Sequence, residues 1–174
     1  IVGGPANPNC LSNPEQPGEG LSDFWGLSLT ATAAQTGPTP RTVGTWLFSS
    51  SGIRPFPYST DDGVNPVTYG TTNTLPVPHG TGFVWAQIYW EVYWALVDEH
   101  GFDPDLYNVT GTSTDAGNLR AKLFLNEGLK NTVCGPGFVD VRNGILNAAA
   151  VFYGGEDVCT VWRAFAGAGL GQNA

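Results

Sequence analysis

One block constrains this chain more than any other: "GFVWAQIYWEVYWALVDEHG", Gly82 to Gly101. Its residues are apolar on nearly every side of a helix. Gln87, Glu91 and Asp98 form the one narrow polar stripe, at about one and three turns from Gln87. A helix apolar almost all round belongs inside a fold rather than on its surface. The expectation is a central buried helix over Phe83–Glu99, with Trp85, Tyr89, Val92 and Leu96 packed inward and Gly101 as its stop.

Three later patterns have helical spacing. They run over Ala116–Leu129 with Leu119, Leu123 and Leu129 inward, over Phe138–Phe152 with Val141, Ile145 and Ala149 inward, and over Glu156–Ala166 with Val158, Trp162 and Phe165 inward. An earlier one starts at Glu19 and reaches about Ala34, carried by Leu21, Phe24, Trp25 and Leu29. Between it and the central helix the chain is dense in Gly, Pro, Ser and Thr, which reads as long ordered loops with a short hairpin around Trp46 to Phe48. A loop of that length in a compact domain is functional or closely packed. The fold class is therefore mainly α. A single domain is expected over 1–174: a loop (1–18), a first helix (19–36), an irregular arm (37–81) and a helical bundle (82–174).

The 174 residues include 41% hydrophobic ones and six Trp, enough for a real core. The net charge is −8 and the pI about 4.4, which argues against nucleic acid or an anionic membrane as partner. No window reads as a transmembrane span, and the acidic balance fits a secreted, extracellular protein. The abrupt start "IVGGPANPNC" reads as a processed or truncated one. "IVGG" resembles the mature start of trypsin-like proteases, but no "GDSGGP" or "AAHC" block follows.

There are three cysteines. Cys134 and Cys159 flank an apolar helical pattern, and a disulfide between them is expected, given a secreted composition. Cys10 then has either a partner lost with an upstream part or a place as a buried free thiol.

Chemistry concentrates in "PGEGLSDFWG", Pro17 to Gly26. Glu19 and Asp23 are spaced i, i+4, so both carboxylates lie on one helix face. Like charges so placed repel by roughly 0.2–0.5 kcal/mol. The plain reading is that they sit near a helix N-terminus, where the macrodipole favours them. The functional reading is a metal ligand with a carboxylate one turn on that orients a metal-bound imidazole.

"GEGLSDF" resembles the motif that supplies the third zinc ligand in thermolysin-like glutamate zincins, and more closely that of fungalysin, a secreted relative. "GGPANPNC", "GIRPFPYSTDDGVNPVTYG", "WEVYWALVDEHGFDPDLYN" and "GGEDVC..W.AFA.AGLG" are similar to fungalysin too. The resemblance thus runs in order along essentially the whole chain. It implies a thermolysin-like C-terminal helical lobe of a zinc endopeptidase that hydrolyses peptide bonds in proteins. Glu19 is implied as the zinc ligand, Asp23 as its outer partner, and His79, in "PVPHGTGFVWA", as a donor to the transition state. Arg54, in "GIRPFPYS", is a candidate for a substrate carbonyl or the developing oxyanion. Without the resemblance, His79 reads as a loop histidine and Arg54 as a surface residue pairing with Asp61 or Asp62.

Two positions depart from the family pattern: Phe83 stands where a Glu is common and Leu21 where a Trp is usual, changes that remove no ligand but are expected to reshape the cleft wall. The larger departure is the HExxH helix, which carries two zinc-binding His and the general base. Neither His79 nor His100 begins such a motif, and in the family it lies just upstream of "GGPANPNC". The chain therefore reads as the C-terminal lobe cut after the metal helix. Its implied partners are the N-terminal lobe of the same peptidase and peptide substrates, and it is inactive alone. The competing reading is a non-catalytic structural module whose uncovered apolar face invites self-association. His100 reads as a helix C-terminal cap. Asp98, Glu99, Asp103 and Asp105 read as a solvated face, with no calcium-loop spacing. Asn108 opens a glycosylation sequon, "NVT".

Overall fold

The computed structural model describes residues 2, 9–48, 50–107 and 115–174. Asn108 lies outside them. The order of elements is α1 (Gly18–Ser28), a 3-10 turn (Tyr69–Thr74), α2 (His79–His100), α3 (Gly117–Lys130), α4 (Phe138–Val151), a second 3-10 turn (Phe152–Gly155) and α5 (Val158–Gly167). Helices dominate; the β-type pairing recorded among the described residues is a single antiparallel bridge between Arg41 and Tyr58. No helix among them is long and apolar enough to cross a membrane.

α2 is the axis of the fold, as its sequence demands. Trp85, Tyr89, Val92 and Leu96 are all fully buried. The aromatic residues reach out in different directions. Trp85 meets Phe138 of α4 edge-on at 5.4 Å and lies over Phe165 of α5 at 6.4 Å. Phe24 of α1 meets the edges of Tyr89 at 4.8 Å and Tyr93 at 5.9 Å. Truncating such a buried ring to Ala typically costs about 3–5 kcal/mol.

α1 is shorter than its pattern suggests, ending at Ser28 rather than near Ala34. The Thr30 hydroxyl donates to the carbonyl of Gly26 at 2.7 Å, and such side-chain bonds compete with further helix. Its start is capped by Gln16, whose Oε1 accepts the N–H of Gly18 at 2.8 Å.

Two bundle helices are turned relative to the expected faces. On α3, Leu119 and Leu123 are only half-buried, whereas Ala121, Phe124, Leu125 and Leu129 are inside. The Tyr89 hydroxyl donates to the carbonyl of Ala121 at 2.6 Å; the small side chain at 121 admits that approach and turns the larger leucines aside. On α5, Val161 and Phe165 form the buried face, while Val158 and Trp162 are partly covered. On α4, Val141, Ile145 and Ala149 are buried as expected.

The arm has little regular structure and is held by side chains. Arg41 and Tyr58 exchange backbone hydrogen bonds of 2.9 and 2.8 Å. In place of a strand hairpin, residues around Trp46 form a turn in which the N–H groups of Leu47 and Phe48 both bond the carbonyl of Gly44. Trp46, Leu47 and Phe48 are exposed there. Gln87, on the polar stripe of α2, is the main anchor. Its amide donates to the carbonyl of Ser59 at 2.8 Å and accepts from Asn65 Nδ2 at 2.7 Å. The Gln87 end of the stripe thus faces the arm, whereas Asp98 is exposed.

The disulfide expectation is corrected. Cys10 bonds to Cys134, with Cα atoms 4.6 Å apart, and Cys159 is a free, exposed thiol on α5. The N-terminal loop lies along the α3–α4 connection: Gly135 N–H bonds the carbonyl of Cys10 and Asn13 Nδ2 donates to the carbonyl of Pro136 at 2.8 Å. Cys159 is exposed on α5, and Cys134 is already paired with Cys10. The bridge spans 124 positions, a closure worth about 5 kcal/mol in the chain-entropy account. Alkylation without reductant is expected to label one thiol, Cys159, and after reduction and unfolding three. Peptide mapping reads both.

Glu91, half-buried on α2, has its carboxyl pushed up to about 7, first by burial and then by the nearby Asp62, against a hydrogen bond from Gln87. The folded state thus holds this proton more tightly than the unfolded chain does. The stability it contributes is complete below about pH 4.5 and is lost as pH rises through about 7. Glu91→Gln is expected to raise the thermal midpoint clearly at pH 8 and far less at pH 5, as followed by circular dichroism.

Candidate active site

The site begins with a backbone contact. α1 and α2 cross at Gly20 and Gly82. A Cβ on Gly20 would lie 2.2 Å from the carbonyl oxygen of Gly82, and one on Gly82 would lie 2.5 Å from Glu19 Cβ. Only glycine permits so close an approach. It presses the first turns of both helices together, so Glu19 stands beside His79, the first residue of α2. His79 Nδ1 lies 3.1 Å from Glu19 Oε2, and the two side chains are 67% and 39% exposed. Both face open space.

Asp23, one turn further on, is buried, with its side chain 6% exposed. A carboxylate there needs partners, and the arm supplies them. Arg54 donates from Nε to Oδ2 at 2.6 Å and from Nη2 to Oδ1 at 3.0 Å, a two-pronged match of guanidinium to carboxylate. The Tyr58 hydroxyl donates to Oδ2 at 2.5 Å. The hydrogen bond to Asp23 holds the Arg54 guanidinium still more firmly charged than usual, despite partial burial. Burial first, and then the Asp23 carboxylate, push the Tyr58 phenol well above its ordinary range, so it stays a donor. Arg54 Nη2 also comes within 3.5 Å of Glu19 Oε2.

Glu19, Asp23, Arg54 and His79 therefore converge, although 60 residues separate the first from the last. Arg54 pairs with Asp23 rather than with Asp61 or Asp62; Asp61 Oδ1 instead accepts the N–H of Gly63 in a local turn. Tyr58 is the member that sequence reasoning missed. It sits in an arm without periodicity, and only its place four residues after Arg54 hints at it. Phe83 does not form a cleft wall: it is fully buried, with its ring 5.2 Å from that of Tyr58. Leu21 is half-buried against the core.

Glu19 fits a divalent metal as one anionic oxygen donor on an open face, with a cation and an imidazole alongside. A catalytic zinc takes about three protein ligands, and the described residues place one carboxylate here. A second cluster, Glu99, His100 and Asp157, has ligand atoms within 4.8 Å of one another. Its buried carboxylate is already committed. Asp157 takes His100 Nε2 at 2.5 Å and Arg120 Nη1 at 2.8 Å, and Arg120 also bonds Glu156 and lies over the Tyr153 ring. That network ties the end of α2 to α3 and the start of α5. His100 thus pairs across helices as well as closing its own. Asp103 Oδ1 accepts the N–H of Asp105, a turn rather than a cation loop.

The profile of the family described as Fungalysin metallopeptidase (M36) matches residues 1–174. An extracellular metalloproteinase mep of Aspergillus fumigatus is 40% identical over 181 aligned residues, covering 100% of this chain and 28% of the relative. Extracellular metalloproteinase 2 of Arthroderma gypseum is 39% identical over 178, covering 99% and 28%. Extracellular metalloproteinase MEP of Pyricularia oryzae is 39% identical over 180, covering 100% and 28%. The chain thus spans little more than a quarter of the length of these relatives, in their C-terminal part. A profile match over every residue, on a fold that gathers Glu19, Asp23, Arg54 and His79 at one helix crossing, means that the chain belongs to the fungalysin metallopeptidase (M36) family.

Proposed function

We propose that this chain is the C-terminal lobe of a secreted zinc endopeptidase, and that Glu19 is its ligand to the metal. The observation that carries the reading is the convergence of Glu19 and His79 on one open face, with the largely buried Arg54 side chain 3.5 Å from Glu19. Extracellular location follows from the relatives' names. Two further ligands and a general base would come from an HExxH-bearing lobe docked on that face. Zinc so held supplies Lewis-acid chemistry, polarising a scissile carbonyl and making a water nucleophilic near neutral pH.

The roles of this chain's own residues follow from their positions. Glu19 offers an oxygen where the metal would bind. Asp23 holds Arg54 and has about one lone-pair site left for an imidazole N–H, since three of roughly four are taken. Arg54, with its side chain largely buried, keeps its charge next to the metal ligand and is the candidate donor to a substrate carbonyl. His79, exposed at the rim, donates to the oxyanion that develops on the carbonyl. Such donors act mainly in the transition state.

The chain alone is expected to bind zinc weakly and to cleave no peptide, and the HExxH lobe added in trans to restore both. In the assembled enzyme, Glu19→Gln should strip the metal and lower activity by more than about a hundredfold, beyond the usual effect of an outer-shell partner. His79→Phe should keep the zinc and lower kcat by about 10²–10³. Zinc content by elemental analysis, beside peptide hydrolysis rates, separates the two. A Glu19→Gln enzyme with full zinc and full activity overturns the reading, as does chelator-sensitive cleavage by the 174-residue chain alone.

A further inference from the structure

We propose that Tyr58 is a positioning residue for Arg54, acting through Asp23: its hydroxyl locks the carboxylate that aims the guanidinium at the face of Glu19. The proposal rests on the zinc-peptidase reading for its kinetic consequences, but the geometry behind it is independent of any metal.

A carboxylate and a guanidinium joined by two hydrogen bonds form a planar unit that is still free to swing about the side-chain torsions of both residues. A third donor from a different element removes that freedom. Asp23 Oδ2 receives two donors, Arg54 Nε at 2.6 Å and the Tyr58 hydroxyl at 2.5 Å. The tyrosine can serve as a fixed post because it is itself fixed. Its ring is fully buried and rests on Phe83 of α2 at 5.2 Å. Its backbone N–H and carbonyl are both paired with Arg41. The next residue, Ser59, is tied by its carbonyl to Gln87 of α2. The hydroxyl is thus referenced to α2, the carboxylate to α1, and the guanidinium between them to both helices.

The arrangement also fixes the direction of the proton. A phenol pushed well above its ordinary range by burial and by Asp23 donates throughout the neutral range, so Asp23 remains an acceptor for Arg54. With Asp23 so held, Arg54 Nη2 stands 3.5 Å from Glu19 Oε2, which fixes its charge beside the proposed metal ligand. Without the hydroxyl, Asp23 and Arg54 keep their pairing but lose a common reference, and small displacements at a reacting centre are costly.

The test uses Tyr58→Phe, which removes one oxygen and leaves the ring to pack. In the complete peptidase, the variant should keep its zinc content and lose about tenfold in kcat/KM. Arg54→Ala should lose more, and Tyr58→Phe added to Arg54→Ala should lose nothing further, because residues acting through one another are not additive. Unchanged kcat/KM in Tyr58→Phe, a full multiplicative loss in the double variant, or loss of zinc with the hydroxyl would each overturn the proposal. Hydrogen exchange of the Arg54 Nε–H, followed by NMR in this chain, gives a readout free of activity. Exchange about tenfold faster in Tyr58→Phe supports the role, and unchanged exchange refutes it. If the unsubstituted peptidase neither held zinc nor cleaved peptides, the peptidase reading would fall, while the exchange measurement would still decide Tyr58.

Discussion

The backbone contact between Gly20 and Gly82 underlies everything else in the site. Helices usually pack 8–10 Å apart because side chains stand between them. Here no Cβ intervenes on either side, and a methyl on Gly20 would lie 2.2 Å from a carbonyl oxygen of α2. The first turns of α1 and α2 are therefore held at one distance and one angle. Glu19 flanks the contact on one helix and His79 begins the other, so their separation of 3.1 Å is a consequence of helix geometry rather than of loop conformation. Sites built on packed helices hold their geometry more tightly than sites on loops.

The arm completes what the helices begin. A segment with one bridge and no strand ladder among its described residues has few backbone bonds of its own, so buried side chains of the helices organise it. Gln87 binds it at Ser59 and Asn65; Asp23 binds it at Arg54 and Tyr58. Gln87 and Asp23 would each be costly to bury alone, and both are satisfied by the arm. The same bonds that make the arm stable deliver a guanidinium to the side of Glu19. Folding energy and site geometry are thus carried by one set of contacts. At the other end of α2 the network of His100, Arg120 and Asp157 does a purely structural version of this.

Periodicity made the helices legible, because an apolar stripe must face a core whatever the topology. α2 was legible in its buried body and its end, although it begins one turn earlier, at His79 rather than Phe83, and α4 in its buried face. Where two faces compete, as on α3 and α5, the pattern named leucines and tryptophans by size, whereas the fold chose by fit, setting Ala121 and Val161 inside. The cysteines show the same limit. Their counts and spacings are compatible with more than one pairing, and only the path of the N-terminal loop along the α3–α4 connection brings Cys10 to Cys134.

By itself, the amino-acid sequence determined the helical class, the burial of α2 and, through its resemblance to fungalysin, the candidates Glu19, Asp23, Arg54 and His79. These are properties of local pattern and of residue types at short spacing. Which partner Asp23 takes, that Tyr58 belongs beside it, and that Phe83 lies beneath Tyr58 rather than along a cleft were decided by tertiary structure alone. The reason is physical: the arm has no repeating period that fixes which way its side chains point. Their directions are set only when buried polar groups on α1 and α2 must find donors, and that requirement exists only once the helices have packed.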